Sequence, residues 1–233
     1  MKRTLVILPT YNEVENIPSL VDKIMKYPDA LHILVVDDSS QDGTAAAVRA
    51  LQTTYGERLH LLVRKGKLGL GTAYIAGYKY AIEHDYELAV TMDADHSHNP
   101  VHLKEILHMA KIADLVIGSR YIAGGGTLNW GPHRKFLSWG ANLLARSLLG
   151  LQARDCTSGY RCYRVNLLRR INFQRIHSNG YSFLMELLHY CQTNKARIRE
   201  IPIVFADREF GKSKISQAEI FKAFLTLWRL RKT

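Results

Sequence analysis

The stretch that decides the fold is LAVTMDADHSHNP, Leu88–Pro100. It begins with a short apolar run and continues with two aspartates one residue apart. It closes on Asn99 and Pro100, a pair typical of the start of a helix. An apolar run of this length between polar segments predicts a buried strand. Asp93 and Asp95 would therefore lie at the carboxyl end of that strand.

The same pattern of a short apolar run and a polar segment occurs three times earlier in the chain. We predict strands at 4–8, 31–36, 59–63 and 88–92, alternating with helices at 13–27, 43–55, 70–84 and 100–111. Such alternation predicts an α/β fold with a mainly parallel central sheet flanked by helices. In such sheets ligands bind beyond the carboxyl ends of the strands. Acidic segments follow three of the strands, so the sequence predicts one acidic crevice at that edge.

Composition places the chain among globular proteins, since 47% of its 233 residues are apolar. Its three cysteines are too few for a disulfide framework and favour a reducing compartment such as the cytoplasm. No window holds the roughly 18 apolar residues that a membrane-spanning helix requires. We therefore expect a chain that does not span a membrane.

Positive charge is concentrated in the second half. Residues 120–233 hold 20 Lys and Arg against 6 Asp and Glu, whereas residues 1–119 hold 12 against 15. An excess of this size favours an anionic partner. Nucleic acid, an acidic membrane surface and phosphorylated substrates all meet that requirement.

Familiar phosphate-binding loops are missing. The glycines of GKLGLGTA fit neither GxxxxGK[ST] nor GxGxxG, which disfavours a P-loop NTPase and a standard dinucleotide dehydrogenase. Carboxylates in the crevice could instead hold Mg²⁺ or Mn²⁺, with substrate phosphates completing the coordination. A lone D-x-D can also simply begin a turn or cap a helix. If the strand is still extended at Asp93 and Asp95, their carboxylates point the same way.

Longer motifs bring a family resemblance into view. VILPTYNEVENI, VVDDSSQDGT, GLGTAYIAGY and MDADHSHNP resemble the successive signatures of inverting nucleotide-sugar glycosyltransferases with the Rossmann-like GT-A fold. GSRY, GGGTLNWGPHRKFLSWGANLLAR, DCTSGYRCYR and DREFGKSKIS resemble, in the same order, the polyprenyl-phosphate (dolichol-phosphate) mannose synthases. The resemblance runs from Val6 to about Ser216. It implies a GT-A catalytic domain over 1–215. Residues 216–233 are amphipathic and predict a helix that is either part of the same domain or an appendage to it.

The resemblance implies inverting transfer of mannose from GDP-mannose to a polyprenyl phosphate, of the dolichyl or undecaprenyl type, with Mg²⁺ or Mn²⁺. A phosphate monoester with a second pKa of about 6 is mostly dianionic at neutral pH and needs no general base. The second half accordingly offers no strong base beyond Asp155 of RDCTSG. We expect a single in-line displacement in which positioning and charge stabilisation do the catalysis.

The resemblance also assigns the donor site. The positions matching those that hold base and ribose are Pro9, Tyr11, Glu13, Val36 and Asp38. The metal and diphosphate segment matches Asp93, Ala94 and Asp95, with Ser97 as a further metal-side ligand where some relatives have Gln. The positions matching those that close over the donor diphosphate are Arg208 and Lys214.

The acceptor phosphate is assigned in the same way to Arg120, Arg134 and Ser138. A guanidinium fork suits phosphate oxygens, although any one arginine in so basic a segment can also be a solvated surface charge. We expect catalysis to depend on Asp93, Asp95, Arg120 and Arg134.

A lipid acceptor calls for membrane contact. KFLSWGANLLARSLLGL and AEIFKAFLTLWRLRKT combine large apolar residues with cations, the composition of an interfacial helix. We expect a peripheral protein at the cytoplasmic face of a membrane. The same two segments could instead pack on the core or bind a small membrane-anchoring subunit.

Several alternatives stay open. The donor could be UDP-glucose or another nucleotide sugar, the chain could be a basic nucleic-acid-binding α/β module, or it could be an inactive subunit. We expect no nucleic-acid partner, because that alternative gives Asp93 and Asp95 no role. A zinc site could be drawn from Asp95, His98 and His102, but a helix start at Asn99 disfavours it. His96 and His98 are left without a role.

Overall fold

The computed structural model describes residues 3–27, 30–206 and 226–231. Four apolar runs form parallel strands, namely β1 (Thr4–Thr10), β2 (Leu31–Asp37), β3 (Leu59–Val63) and β4 (Leu88–Thr91). β1 and β2 are buried along almost their whole length, which their uninterrupted apolar sequences require in a sheet covered on both faces. All four predicted strands are therefore present, each within two residues of its predicted ends.

The helices also follow the prediction, although the first and the fourth are shorter than expected. They are α1 (Ile17–Met25), α2 (Thr44–Tyr55), α3 (Leu70–Glu83) and α4 (Leu103–Met109), the last preceded by a 3₁₀ turn at Pro100–His102. The helix predicted from residue 13 begins only at Ile17, with Pro18 in its first turn, where a proline leaves no helical hydrogen bond unmade. Residues 13–16 instead belong to the loop that leads away from β1.

The second half adds shorter elements. They are β5 (Leu115–Ser119), β6 (Gly126–Thr127), α5 (Pro132–Leu149), β7 (Arg161–Arg164), α6 (Val165–Leu168), α7 (Tyr181–Thr193), β8 (Ile198–Pro202) and β9 (Val204–Phe205). The main sheet has the order β3-β2-β1-β4-β7-β5-β8, in which only β7 is antiparallel to its neighbours. β6 and β9 form a separate parallel pair. The prediction of a mainly parallel α/β sheet flanked by helices is confirmed.

Two apolar layers enclose the sheet. Along β1, Leu5 and Ile7 belong to the layer that α3, α5 and α7 cover, while Val6 and Leu8 belong to the layer of α1, α2 and α4. This alternation is the period of two expected of a strand with two buried faces. All three cysteines are buried free thiols, as the composition predicts.

The strand order brings the functional segments to one edge. β1 lies between β2 and β4, so the winding of the chain reverses between β1 and β4. In doubly wound sheets, ligands bind at the carboxyl ends of the strands next to such a reversal. β4 and β5 are both antiparallel to β7 and so run in the same direction. The loops after β1, β2, β4 and β5 and the loop before β7 therefore meet at the same edge of the sheet.

The C-terminal predictions can be placed only in part. Arg208 and Lys214 lie outside the described residues, as does most of the helix predicted at 216–233. Of that segment, residues 226–230 are helical, and they bury Leu227 and Leu230 while about half of Trp228 is exposed. Among the residues that the structure describes, no helix is long and apolar enough to cross a membrane.

Candidate active site

The two aspartates of the DAD segment lie in the loop after β4 and are held by different partners. One Asp93 oxygen accepts a hydrogen bond from the Tyr74 hydroxyl at 3.2 Å, and the side chain is one-third exposed. Asp95 is buried, and its Oδ1 accepts from the amide of Ser97 at 3.2 Å and from the Ser97 hydroxyl at 2.5 Å. The prediction that the two carboxylates point the same way required an extended strand at Asp93 and Asp95, but β4 ends at Thr91.

His98 supports this segment from inside the protein. Its Nδ1 accepts a hydrogen bond of 2.9 Å from the backbone N–H of Asp93, and its ring is buried against Tyr160 and Phe205. Burial lowers the pKa of His98, while the negative charges of Asp93 and Asp95 act in the opposite direction. The imidazole is thus neutral at physiological pH, and its accepting nitrogen fixes the backbone at Asp93.

His96 connects the same loop to α1. Its Nε2 lies 2.8 Å from the hydroxyl oxygen of Ser19, within hydrogen-bond distance. The residue adopts a φ of 62°, a left-handed conformation that is uncommon for residues other than glycine, although His adopts it more often than most. The sequence assigned His96 no role, and the structure gives it one in holding the DAD loop against α1.

The donor groups of this loop suit a hard divalent cation. Within the described residues, no three His, Cys, Asp or Glu side chains are grouped to hold a metal ion. The accepting nitrogen of His98 is already occupied, which leaves the oxygens of Asp93, Asp95 and Ser97. A site of one or two carboxylates completed by water and substrate phosphates is what Mg²⁺ and Mn²⁺ favour. The residues present therefore fit the predicted cation, and they do not fit an all-protein zinc site.

The loops after β1 and β2 are joined by hydrogen bonds. The backbone N–H groups of Asn12, Glu13 and Val14 donate to side-chain oxygens of Ser40, Thr44 and Asp42 at 2.9–3.0 Å. Of the predicted base and ribose residues, Glu13 takes part in these bonds, and Pro9 and Val36 lie opposite each other in the β1–β2 register. The Lys67 ammonium lies 4.0 Å from the centre of the Tyr11 ring.

The two neighbouring aspartates that end β2 are both engaged within the protein. Asp37 is inaccessible and accepts from Thr10 and Ser40. Asp38 accepts from the Arg64 guanidinium and from the amides of Leu68 and Gly69 at 3.0 and 3.1 Å. Asp38 was predicted to contact the nucleotide, and in this structure its carboxylate holds the loop between β3 and α3.

Arg120 immediately follows β5 and forms a buried ion pair. Its Nε and Nη2 each donate to an oxygen of Asp155 at 2.8 Å, and Nη2 also donates to the hydroxyl of Thr157 at 2.6 Å. Burial alone would raise the pKa of Asp155, but the charge of Arg120 and its hydrogen bonds outweigh this and lower the pKa. Asp155 was the strongest candidate for a general base, and its burial and pairing exclude that role.

Arg134 and Ser138 lie on the first turns of α5 near Trp130. The guanidinium carbon of Arg134 is 4.0 Å from the centre of the Trp130 ring, and that of Arg120 is 5.5 Å away. Ser138 accepts a hydrogen bond of 2.7 Å from Tyr121. A cavity of about 510 Å³ opens here, lined by Arg120, Tyr121, Gly126, Thr127, Lys135, Phe136 and Trp139.

Contacts between aromatic rings connect the acidic and basic segments. Phe205 of β9 contacts His98 on one side, with 5.3 Å between ring centres, and Trp130 on the other at 5.5 Å. Gly159 lies against the DAD segment, where an added Cβ would be 3.1 Å from the Tyr74 hydroxyl and 3.4 Å from Asp93 Oδ1. No role was predicted for Tyr74, Trp130 or Phe205. Tyr74 and Trp130 do fall within the motifs that carry the resemblance, which is the signal that could have drawn attention to them.

Comparison with known proteins identifies relatives of this chain. The family model described as "Glycosyl transferase family 2" matches residues 5–171. A polyprenol monophosphomannose synthase of Mycolicibacterium smegmatis is 42% identical over 99% of this chain and 88% of its own. An undecaprenyl-phosphate mannosyltransferase of Micrococcus luteus is 42% identical over 97% of this chain and 93% of its own.

Solved structures share the fold at lower identity. Glucosyl-3-phosphoglycerate synthase from Mycobacterium tuberculosis, in complex with Mg²⁺ and UDP, has a TM-score of 0.70 and 20% identity, covering 99% of this chain and 80% of the other. A mannosyltransferase from Pyrobaculum calidifontis, in complex with GDP-mannose and Mn²⁺, has a TM-score of 0.62 and 20% identity over 98% and 64% of the two chains.

Proposed function

The chain belongs to glycosyl transferase family 2, and on that premise we propose that it transfers mannose from GDP-mannose to a polyprenyl phosphate. The product is a polyprenyl-phosphate mannose, formed with inversion at the anomeric carbon. The sheet and its flanking helices have the GT-A fold, as the sequence predicted. Both named relatives are synthases or transferases of this kind, and each aligns with nearly the whole chain.

One observation of the molecule carries the proposal. The acidic DAD segment and the basic acceptor segment meet at one edge of the sheet and are joined by the contacts of His98, Phe205 and Trp130. Phosphoryl-linked sugar transfer needs such a pairing, because two anionic substrates must be held side by side. Carboxylates with a cation serve the donor, and arginines serve the acceptor phosphate.

We assign the donor to the cleft between the loops after β1, β2 and β4. Its base and ribose contact Pro9, Tyr11, Glu13, Val36 and Asp38, and its diphosphate lies at Asp93, Ala94 and Asp95, with Ser97 beside them. In this assignment Ser97 orients Asp95 through the hydrogen bond it donates. Arg208 and Lys214, which lie outside the described residues, complete the set as cations for the departing diphosphate. A bound Mg²⁺ or Mn²⁺ would neutralise charge on that leaving group.

The acceptor phosphate is assigned to Arg120, Arg134 and Ser138. Asp155 holds Arg120 in one orientation, so its guanidinium needs little rearrangement when the phosphate arrives. The phosphate oxygen attacks the anomeric carbon directly and GDP departs on the opposite face. No side chain has to remove a proton, which agrees with a site whose nearest carboxylate is permanently paired.

We further propose that the protein works as a peripheral protein at the cytoplasmic face of a membrane, since its acceptor is a lipid. Support comes from α5, which exposes Phe136, Leu137 and Trp139 next to the acceptor cavity. A small membrane-anchoring subunit would cover the same face. The carboxylates at Asp93 and Asp95 have no use in a nucleic-acid-binding module, which makes that alternative the weaker one.

The test is transfer of radiolabelled sugar into organic-extractable lipid, with a short polyprenyl phosphate in detergent. GDP-mannose and UDP-glucose are compared in parallel, with Mn²⁺ or Mg²⁺ and with EDTA. Label from GDP-mannose that EDTA abolishes is the expected result. Label from UDP-glucose alone would keep the mechanism and change the donor. Lack of label from both donors, together with no binding of GDP in the presence of Mn²⁺, would contradict the proposal.

A further inference from the structure

Two arginines line a second cavity, which shares Tyr121 and Trp139 with the acceptor cavity. Arg146 lies in the last turn of α5 and Arg154 in the loop that precedes β7. The cavity between them has a volume of about 260 Å³ and is completed by Tyr121, Trp139, Asn142 and Leu143. The Nε of Arg146 is buried and has no hydrogen-bond partner. Within the described ranges, neither guanidinium forms an ion pair or hydrogen bond.

Six other arginines, in contrast, each have a carboxylate partner. Arginines with an ion-pair partner are Arg64, Arg120, Arg164, Arg169, Arg197 and Arg229. The carboxylate bonded to the Arg154 loop is Glu200, and its two oxygens already accept from the amides of Arg154 and Asp155 at 2.9 Å. A buried guanidinium nitrogen without a partner is costly unless a ligand supplies one. The cavity is therefore built to receive an anion.

The acceptor phosphate is not that anion. Arg134 and Arg146 are twelve residues apart on α5, which corresponds to about 18 Å along the helix axis. A single phosphate group cannot bind at both ends of that span. The polyprenyl chain beyond the phosphate is hydrocarbon and carries no second charge. Because we assign the acceptor phosphate to Arg120 and Arg134, the anion at Arg146 and Arg154 comes from another molecule.

The surface between the two ends of α5 indicates which molecule. Apolar side chains with large exposed fractions lie along it, namely Phe136 69%, Leu137 43%, Trp139 52%, Leu143 45% and Leu144 40%. Trp139 lines both the acceptor cavity and the second cavity. A half-exposed tryptophan between cationic ends is typical of a helix that lies in the membrane interface. At that depth the available anions are the phosphates of lipid headgroups.

We propose that the cavity at Arg146 and Arg154 binds the phosphate of an anionic phospholipid headgroup when the exposed face of α5 lies on a bilayer. Planar guanidinium groups bind phosphate oxygens through paired hydrogen bonds, and the cavity offers two of them. This site orients the acceptor cavity towards the membrane. The inference rests on the proposed membrane association and does not depend on the sugar that is transferred.

The experiment measures sedimentation of the full chain with phosphatidylcholine vesicles, with and without phosphatidylglycerol. R146Q/R154Q removes both guanidiniums from the cavity. The matched control, R49Q/K104Q, removes two exposed cations from α2 and α4, which cover the other face of the sheet. We expect R146Q/R154Q to bind phosphatidylglycerol vesicles roughly 30-fold less tightly than the control, as two lost cation contacts predict. Transfer to a short polyprenyl phosphate in detergent should be unchanged.

A second variant and a soluble anion complete the test. R154Q alone changes an exposed residue and should lower vesicle binding about fivefold without affecting the unfolding midpoint. Inorganic phosphate, exchanged for chloride at equal ionic strength, should leave wild-type vesicle binding unchanged because α5 contributes apolar contacts as well. If phosphate releases the protein as fully as R146Q/R154Q does, the site takes a free anion and the proposal is wrong.

Two further results would overturn it. Equal losses in R146Q/R154Q and R49Q/K104Q would mean that net charge alone drives binding. A raised KM for polyprenyl phosphate in detergent, with vesicle binding intact, would mean that the cavity serves the acceptor itself. Neither result bears on GDP-mannose as donor, so failure here is distinguishable from failure of the proposed reaction.

Discussion

Arg120 and Asp155 form a two-point ion pair that is buried between the end of β5 and the loop before β7. Two guanidinium nitrogens of Arg120 each lie 2.8 Å from a different oxygen of Asp155, and the backbone N–H of Arg120 donates to Oδ2 at 3.0 Å. Asp155 is inaccessible to solvent and Arg120 is 8% exposed. The pair therefore fixes the acceptor arginine and its backbone together.

Replacing Asp155 with Asn should leave the Arg120 charge buried without its counter-charge. We expect a loss of about 3 kcal/mol in the free energy of unfolding, measured by urea denaturation. Transfer should fall because Arg120 loses its orientation. D85N is the control, since Asp85 is largely exposed and pairs with the partly exposed Arg169, and it should lose less than about 1 kcal/mol. Similar losses in the two variants would contradict the account.

Gly159 should tolerate no side chain without displacing the DAD segment. A Cβ would be 3.1 Å from the Tyr74 hydroxyl and 3.4 Å from both Asp93 Oδ1 and His98 Cε1. We expect G159A to lower kcat about tenfold and to weaken Mn²⁺-dependent GDP binding, as misplacement of a site residue does. G140A, where a Cβ meets nothing within 4 Å on α5, should instead stabilise the protein by about 0.5–1 kcal/mol. Full activity of G159A would show that close packing at Gly159 does not hold Asp93 in place.

Trp130 should act on the acceptor and leave the donor unaffected. Its ring lies 4.0 Å from the guanidinium carbon of Arg134 and 5.5 Å from that of Arg120. W130L removes the cation–π contacts, and we expect KM for polyprenyl phosphate to rise about tenfold while KM for GDP-mannose stays the same. W130F keeps a ring and should retain most of the affinity. An equal rise in KM for polyprenyl phosphate in W130L and W130F would indicate that Trp130 acts through packing alone.

Two histidines should make the protein less stable in mild acid. The Tyr86 hydroxyl lies 3.0 Å from His32 Nδ1 and 3.2 Å from His60 Nε2. Burial lowers the pKa of both histidines, nearby Arg3 lowers both further, and Glu57 opposes these effects. The unfolded chain therefore binds more protons than the folded one just below pH 6.5, so stability rises with pH through this window and is lost as pH falls below it.

Urea midpoints between about pH 5 and pH 7.5 measure this dependence. H32Q/H60Q should flatten it relative to wild type. H108Q, which changes an exposed histidine on α4, should leave the slope as it is. An unchanged slope in H32Q/H60Q would rule out the pair as its source.

The first half of the fold follows from the sequence because its strands are apolar runs between polar segments. β1 to β4 and the helices between them depend on local pattern alone. The second half does not, and β7 shows the reason. Arg161 lies at the centre of the sheet, inaccessible, with its guanidinium donating to the carbonyls of Cys156, Ser158 and Leu184. A charged residue in a buried strand is predictable only once the carbonyls that accept from it, including that of the distant Leu184, are known.

The site residues also differ in how far the sequence predicts them. Asp93 and Asp95 are identifiable from their place after a strand, and Arg120 and Arg134 from motifs. The roles of His98 and Asp155 depend on partners far along the chain, such as Phe205 and Arg120. A histidine three residues after Asp–x–Asp looks like a metal ligand, yet His98 is buried and accepts a hydrogen bond from the backbone N–H of Asp93. Burial and pairing, which sequence pattern does not specify, decide both roles.

The most direct test of the account is the transfer rate of D95N with GDP-mannose and a short polyprenyl phosphate. Asn keeps the shape of Asp95 and the hydrogen bond from Ser97 but removes the charge that we assign to the cation and diphosphate. We predict a loss of at least about 100-fold, with D85N, an exposed aspartate, unaffected. Full, metal-dependent transfer by D95N would contradict the assignment of the acidic crevice to the donor.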